Sequence, residues 1–185
     1  MAAAAGVAGE TSERGLRLLG VQAGDTFFVD GGAGGVGAVA VQMPLARKAR
    51  VIASASEANQ DYLREIGAIP VRYGQGVADR VRAAGGRVDA VFDVAGKTPI
   101  EELIRLVSEP SEVLSIANFT AAQAGARVTG GDADSSPMQA LAEVAGLLAQ
   151  NKLVIKVQTY PFGRAAEAYR ISQSGHVRGK LVLIP

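Results

Sequence analysis

Short apolar runs bounded by glycine, proline or polar turn residues alternate along this chain with stretches whose apolar positions recur at helical spacing. Thr26 to Asp30, after the turn residues Gly24-Asp25, predicts a buried strand. A glycine-rich segment follows at once, and then a small apolar helix through Val36, Val39, Ala40 and Met43. Pro44 removes an amide and crowds the carbonyl of Ala40, which predicts a kink or a short helix there. Arg50 to Ser54 predicts a second strand. Glu57 to Ile66 predicts a helix with Tyr62, Leu63 and Ile66 inward, stopped by Gly67. Ile69 to Arg72 reads as a third strand, Gly76 to Ala84 as a weak helix and Val88 to Asp93 as a fourth strand.

Beyond residue 97, Thr98, Pro99 and Glu101 stand at the spacing of a capping box. Ile100, Leu103, Ile104 and Val107 then form one apolar stripe. Glu112 to Ala117 and Ala126 to Gly130 predict strands five and six. Ser136, Pro137 and Gln139 predict another helix start, with Leu141, Val144, Ala145 and Leu148 inward. The tail reads as a strand (Leu153 to Gln158), a helix with Phe162, Ala165, Ala166 and Tyr169 inward, Gly175, and a strand (Lys180 to Ile184). Strands alternating with helices predict an α/β fold of parallel βαβ units with right-handed crossovers.

Composition narrows the function classes. The 185 residues suffice for one domain, and 19 Lys and Arg against 18 Asp and Glu give no reason to invoke nucleic acid. The chain has no cysteine, so disulfides and thiolate metal sites are excluded, and the single histidine, His176, excludes any site needing two imidazoles. No metal is expected. No apolar run approaches the roughly 20 residues of a membrane span. Met1-Ala2-Ala3-Ala4-Ala5 lacks the basic start of a signal peptide, so no membrane is expected and the location expected is cytoplasmic. Residues 150–185 hold six Lys or Arg and one Glu. That excess reads as a solvated face, with attraction to an acidic partner or a phosphate tail as the other reading. His176, in a turn after Gly175, reads as a surface imidazole, and Asp89 and Asp93 read as caps of strand four and its loop.

The chemistry concentrates at Gly32-Ala33-Gly34-Gly35-Val36-Gly37. A GxGxxG pattern is weak alone, but here it follows a strand, opens a helix and lies inside a βαβ unit. Gly32 is expected to permit the tight turn, Gly34 to let the backbone approach a pyrophosphate, and Gly37 to let the helix pack on the strand. The amides of Gly35 and Val36 then face an anion at the positive end of a helix. Asp30 is out of place beside a phosphate site, and its side chain is expected to point away or cap the loop. An NAD site wants an acid about 20 residues past the first glycine. This chain has Ala53-Ser54-Ala55-Ser56 instead, with no acid before Glu57. Small hydroxyl residues leave room for a 2′-phosphate, so NADP (NADPH) is favoured, although no Lys or Arg sits in this loop. Asn59 and Tyr73 are candidate extra donors. They read equally as a helix-start polar residue and a half-buried surface tyrosine.

Gly24-Asp25, the Gly32–Gly37 turn, VIASAS (51–56), DAVFDVAG (89–96) and SGHVRGKLVLIP (174–185) together resemble the medium-chain dehydrogenase/reductases, within them the zinc-free, quinone-oxidoreductase-like branch. The resemblance runs from about Gly6 to Pro185. It implies a Rossmann doubly wound parallel sheet in order 3-2-1-4-5-6 with helices on both faces. It also implies NADPH across the C-terminal strand edge, and hydride transfer to a quinone, enal or enone as the small-molecule substrate. By motif match, Ser54, Ser56, Asn59 and Tyr73 fall at the adenosine ribose phosphate, where a lysine is common in place of Asn59. Val94 and Ala95 fall at the cofactor-facing end of strand four, and Ile116, Ala117 and Asn118 near the nicotinamide ribose. The branch often dimerises through the edge strand, here 126–130.

Family members begin with a GroES-like β domain that forms the other wall of the cleft, whereas here the Rossmann unit begins almost at Met1. Residues 1–155 are therefore read as the cofactor domain. Residues 156–185 are read as a tail that normally packs on the absent catalytic domain, which another chain could supply, leaving Phe162 and Tyr169 exposed or covered by a partner. No catalytic residue is named. The leading reading is the NADPH-binding domain of a reductase, and the alternative is a stand-alone NADP(H)-binding module or sensor without catalysis. A methyltransferase would want an acid where Ser54 stands.

Overall fold

The computed structural model describes residues 2–131, 136–175 and 177–185. His176 lies outside them. Six strands form one parallel sheet: β1 (Thr26–Asp30), β2 (Arg50–Ala55), β3 (Ile69–Arg72), β4 (Ala90–Asp93), β5 (Val113–Ser115) and β6 (Arg127–Val128). Their order is β3-β2-β1-β4-β5-β6, the doubly wound arrangement that the resemblance implies. Buried on both faces from Phe27 to Asp30, β1 carries the continuous apolar run Phe27-Phe28-Val29 rather than an alternating one. Its register aligns Phe28 with Ile52 and Val91, and Asp30 with Asp93.

Helices cover both faces. On one side lie α1 (Ala2–Leu19), α2 (Gly37–Ala46), α3 (Gln60–Glu65) and α6 (Pro137–Ala149), enclosing Phe27, Val29, Val39, Met43, Leu63 and Phe92. On the other, α4 (Val77–Gly85) and α5 (Ile100–Ile104) enclose Phe28, Ile52, Val81, Val91 and Leu103. The α1 helix has no counterpart in the sequence reading. It sits so close to the sheet that a Cβ on Gly15 would stand 2.5 Å from the Phe92 ring, and one on Gly9 would stand 2.7 Å from Val144 of α6.

Several local expectations shift. The capping box at Thr98 does not form: α5 starts at Ile100 with Pro99 as its N-cap residue, and no side chain caps it. A reciprocal box forms instead between Glu109 and Glu112, in the 3-10 turn leading to β5. The α6 stripe is rotated by one residue, burying Ala140 and Val144 and exposing Leu141 and Ala145. Pro44 falls in the last turn of α2, which runs only two residues further, so the helix is short as expected. The sixth strand contracts to two residues at the sheet edge.

The tail folds as β7 (Val157–Pro161), α7 (Ala165–Gln173) and β8 (Lys180–Ile184), with β7 and β8 paired in a separate parallel sheet. Leu153 and Ile155 are buried around an exposed Val154, the alternation of a strand, yet this stretch is not one. Its partner is a side chain: the Gln42 amide accepts from Val154 N at 2.8 Å and donates to Val154 O at 2.9 Å. Phe162 and Tyr169, read as inward from periodicity, are 60% and 66% exposed, and α7 buries Ala168 instead. No helix among the described residues is long and apolar enough to cross a membrane.

Candidate dinucleotide site

Where β1 ends, the chain reverses through Gly31 (φ +94°), and Gly34 N donates back to Gly31 O at 3.2 Å. The left-handed turn therefore belongs to Gly31 rather than to Gly32, which the sequence reading chose. Gly32 must lack a side chain for another reason: a Cβ there would stand 2.7 Å from Ala53 Cβ on β2. Gly37 acts as expected, since a Cβ would lie 2.1 Å from Gly31 O and block α2 from seating on the turn. Around Gly34 the space is open, the nearest atom to a built Cβ being Gly31 O at 3.6 Å. The Gly35 and Val36 amides have no protein acceptor among the described residues and stand at the positive end of α2. Backbone with these properties can hold a diphosphate.

Two buried Asp–Ser pairs organise the strand ends. On β1, Asp30 accepts from the Ser54 hydroxyl of β2, and Ser54 Oγ accepts from Gly31 N at 2.9 Å. On β4, Asp93 accepts from Ser115 Oγ of β5 at 2.6 Å, and from Ala95 N and Gly96 N at 3.1 and 2.7 Å. Ser115 Oγ in turn accepts from Ala117 N and Asn118 N. These pairs fix the loops that carry Val94, Ala95, Ile116, Ala117 and Asn118. Ser54 thus caps the turn from beneath, and Asp30 holds the Ser54 hydroxyl in place. Burial pushes its carboxyl above the ordinary value, the Ser54 hydroxyl and the nearby Thr98 hydroxyl pull it back, and the Asp93 charge adds to the rise. The Thr98 hydroxyl is itself buried outside hydrogen-bond geometry.

One cavity gathers Gly34, Ser54, Ser56, Asn59, Tyr73, Val94 and Ala95 with Asp30, Gly31 and Ala33, and Lys97, Thr98, Gly175 and Val177 line it too. Gly32 and Gly37 support it from behind, and Gly35 and Val36 complete the turn. Ile116, Ala117 and Asn118 are not among its lining residues. Asn118 instead caps the next 3-10 turn, accepting from Thr120 N at 3.1 Å. Ser54 is fully buried with its proton given to Asp30, whereas the Ser56 hydroxyl makes no protein bond among the described residues.

The tail supplies residues that the sequence reading did not place in the site. Gly179 N donates to Ala33 O at 3.1 Å, docking the segment before β8 on the glycine turn. Lys180 then lies against Gly35, its Nζ 3.1 Å from where a Cβ on that glycine would stand, and burial lowers its pKa. Arg178 reaches Asn59 and Ala58 at the end of β2. The hints in the sequence were the basic excess of residues 150–185 and the 174–185 motif, neither of which placed these side chains at the turn.

A doubly wound sheet with a glycine turn between β1 and α2, and a cavity over the C-terminal strand ends, defines a dinucleotide-binding Rossmann domain. The chain belongs to the family described as zinc-binding dehydrogenase, whose profile matches residues 67–183. It is 25% identical to an NADPH-dependent alkenal/one oxidoreductase of Arabidopsis thaliana, over 95% of this chain and 45% of that protein. It is 28% identical to a chloroplast envelope quinone oxidoreductase homolog of the same plant, over 95% of this chain and 57% of that one. The quinone oxidoreductase of Coxiella burnetii superposes with a TM-score of 0.79 at 29% identity, covering 95% of this chain and 57% of that structure. The chain thus spans about half the length of the curated relatives it matches, and the family resemblance read from its motifs is borne out. Zinc does not fit the residues present: there is no cysteine, and no group of three His, Cys, Asp or Glu gathers among the described residues.

Proposed function

We propose that this chain is the NADPH-binding domain of an oxidoreductase that passes a hydride to a quinone, enal or enone without zinc. The carrying observation is the cavity in which the glycine turn, the acid-free end of β2 and the end of β4 converge. When bound, NADPH supplies the hydride; the chain's own residues hold and orient it. The Gly35 and Val36 amides and Lys180 take the diphosphate, with Gly32, Gly34 and Gly37 giving it room. Ser54, through Asp30, fixes the turn, while Ser56, Asn59 and Tyr73 line the adenosine end. Val94 and Ala95, and beyond them Ile116, Ala117 and Asn118, form the wall toward the nicotinamide, their loops held by Asp93 and Ser115.

The catalytic wall belongs to a further domain, on this chain or another, against which residues 156–185 pack. Exposed Phe162 and Tyr169 support that reading. Pairing of the edge at 126–130 in a homodimer and a cytoplasmic location belong to the same proposal. Titration of the 185-residue chain with NADPH and NADH by calorimetry, beside an NADPH-oxidation assay with a simple quinone, tests the proposal. Tight NADPH binding with little turnover is expected, and binding of neither dinucleotide overturns it.

A further inference from the structure

Arg178 occupies an unusual place for a tail residue. Its Nε donates to Asn59 Oδ1 and its Nη2 to the Ala58 carbonyl, both at 2.9 Å, and its guanidinium lies 5.3 Å from the Tyr62 ring centroid. All these partners are neutral, and Arg178 has no carboxylate within salt-bridge distance among the described residues. Glu57, the first acid after β2, is drawn toward Arg72 at 3.8 Å. The result is an uncompensated, half-buried positive charge at the end of β2, where a Rossmann site distinguishes a ribose hydroxyl from a ribose phosphate.

Resting on the proposed dinucleotide site, we infer that Arg178 selects NADP(H) over NAD(H) by receiving the 2′-phosphate on its free amino group Nη1. A planar guanidinium suits a phosphate monoester, and two of its N–H groups are already committed to holding it in place. With Oδ1 engaged by Arg178, the Asn59 side chain has only its Nδ2 amino group left to donate. Ser56, whose hydroxyl is unengaged, lines the same cavity as Asn59. Both stand just past the end of β2, and Arg178, which is not itself a lining residue, is held beside them through Asn59. The charge missing from the loop after β2 comes from a residue nearly 120 positions further on, carried there by the contact between Gly179 and Ala33.

Calorimetry on the full 185-residue chain tests this, with NADPH, NADH, adenosine 2′,5′-bisphosphate and AMP as probes. Arg178→Met is expected to weaken NADPH and the bisphosphate by about 10- to 100-fold while leaving NADH and AMP within about twofold. Arg178→Lys is expected to keep part of the NADPH affinity. Arg178→Gln, which keeps a side-chain donor for Asn59 or Ala58 but removes the charge, is expected to lose NADPH affinity with NADH unchanged, and gives an answer even if Arg178→Met fails to fold. Equal losses for NADPH and NADH in Arg178→Met overturn the inference, because the residue then only positions its neighbours. So does transfer of the effect to Lys97→Ala, where the lysine lines the cavity, or to Lys156→Ala, where the lysine Nζ lies 5.4 Å from the same Tyr62 ring centroid. A wild-type chain that binds both dinucleotides equally overturns this inference alone, whereas one that binds neither overturns the proposed function with it.

Discussion

A carboxylate beneath a phosphate-binding turn opposes the anion it serves, and Asp30 lives with that conflict through burial and one hydroxyl. Its raised pKa comes first from burial, so the native state holds this proton more tightly than the unfolded chain does. The sign of the pH effect follows. Below the unfolded value near 3.8 both states are protonated and Asp30 contributes no slope. As pH rises from there to the raised native value, the unfolded chain has lost the proton and the native one has not, so stability falls; above the native value the loss is complete. Asp30→Asn, which can still accept from Ser54, is expected to remove that decline. Urea unfolding of both proteins across this pH range checks it, and parallel slopes would refute it. The residues in question were legible in part. The glycine spacing and the oddity of Asp30 were plain in the sequence, but that Ser54 gives its proton to Asp30 was not. Which oxygen a serine serves depends on the register of two strands, and no local pattern encodes that.

Elements were legible where a long apolar run or a glycine marked them, and not where small residues or a side chain did the work. The α1 helix buries Ala4, Ala5, Ala8 and Leu16, with Gly9 and Gly15 at its closest contacts. Such a face has little hydrophobic contrast, so an alanine-rich opening gave no periodic signal although the helix covers much of one sheet face. The stretch at 153–155 had the opposite fault. Its alternation was real, but the ladder partner is the Gln42 amide rather than a strand, so the regular strand begins only at Val157. Gln42 therefore ties the tail to α2. Replacing it by Leu removes both bonds to Val154 and a third to Ala38 O. The expected cost is about 1–3 kcal/mol, with faster hydrogen exchange at the Val154 amide. An unchanged melting curve together with unchanged exchange at Val154 would show that packing of Leu153 and Ile155 alone holds the segment.

At the scale of the whole molecule, the site joins two parts that the sequence reading set apart. The boundary at residue 155 separated a cofactor domain from a tail destined for another surface. In the folded chain the tail touches the glycine turn through Gly179, Lys180 flanks Gly35, and Arg178 reaches the end of β2. A dinucleotide lying along the turn would therefore bridge both parts, and its binding energy would hold the tail down as well as stabilise the body. At a concentration 100 times its Kd, a ligand adds about 2.7 kcal/mol to stability. For a domain of this size that raises Tm by about 5–11 °C. NADPH is expected to give such a shift, and to slow hydrogen exchange both at the glycine turn and at residues 177–180. The β6 edge at Arg127–Val128, remote from the turn, is expected to exchange as before. Protection confined to the turn would mean that the tail's contacts are incidental to binding, and the role given to Arg178 would fall with that result.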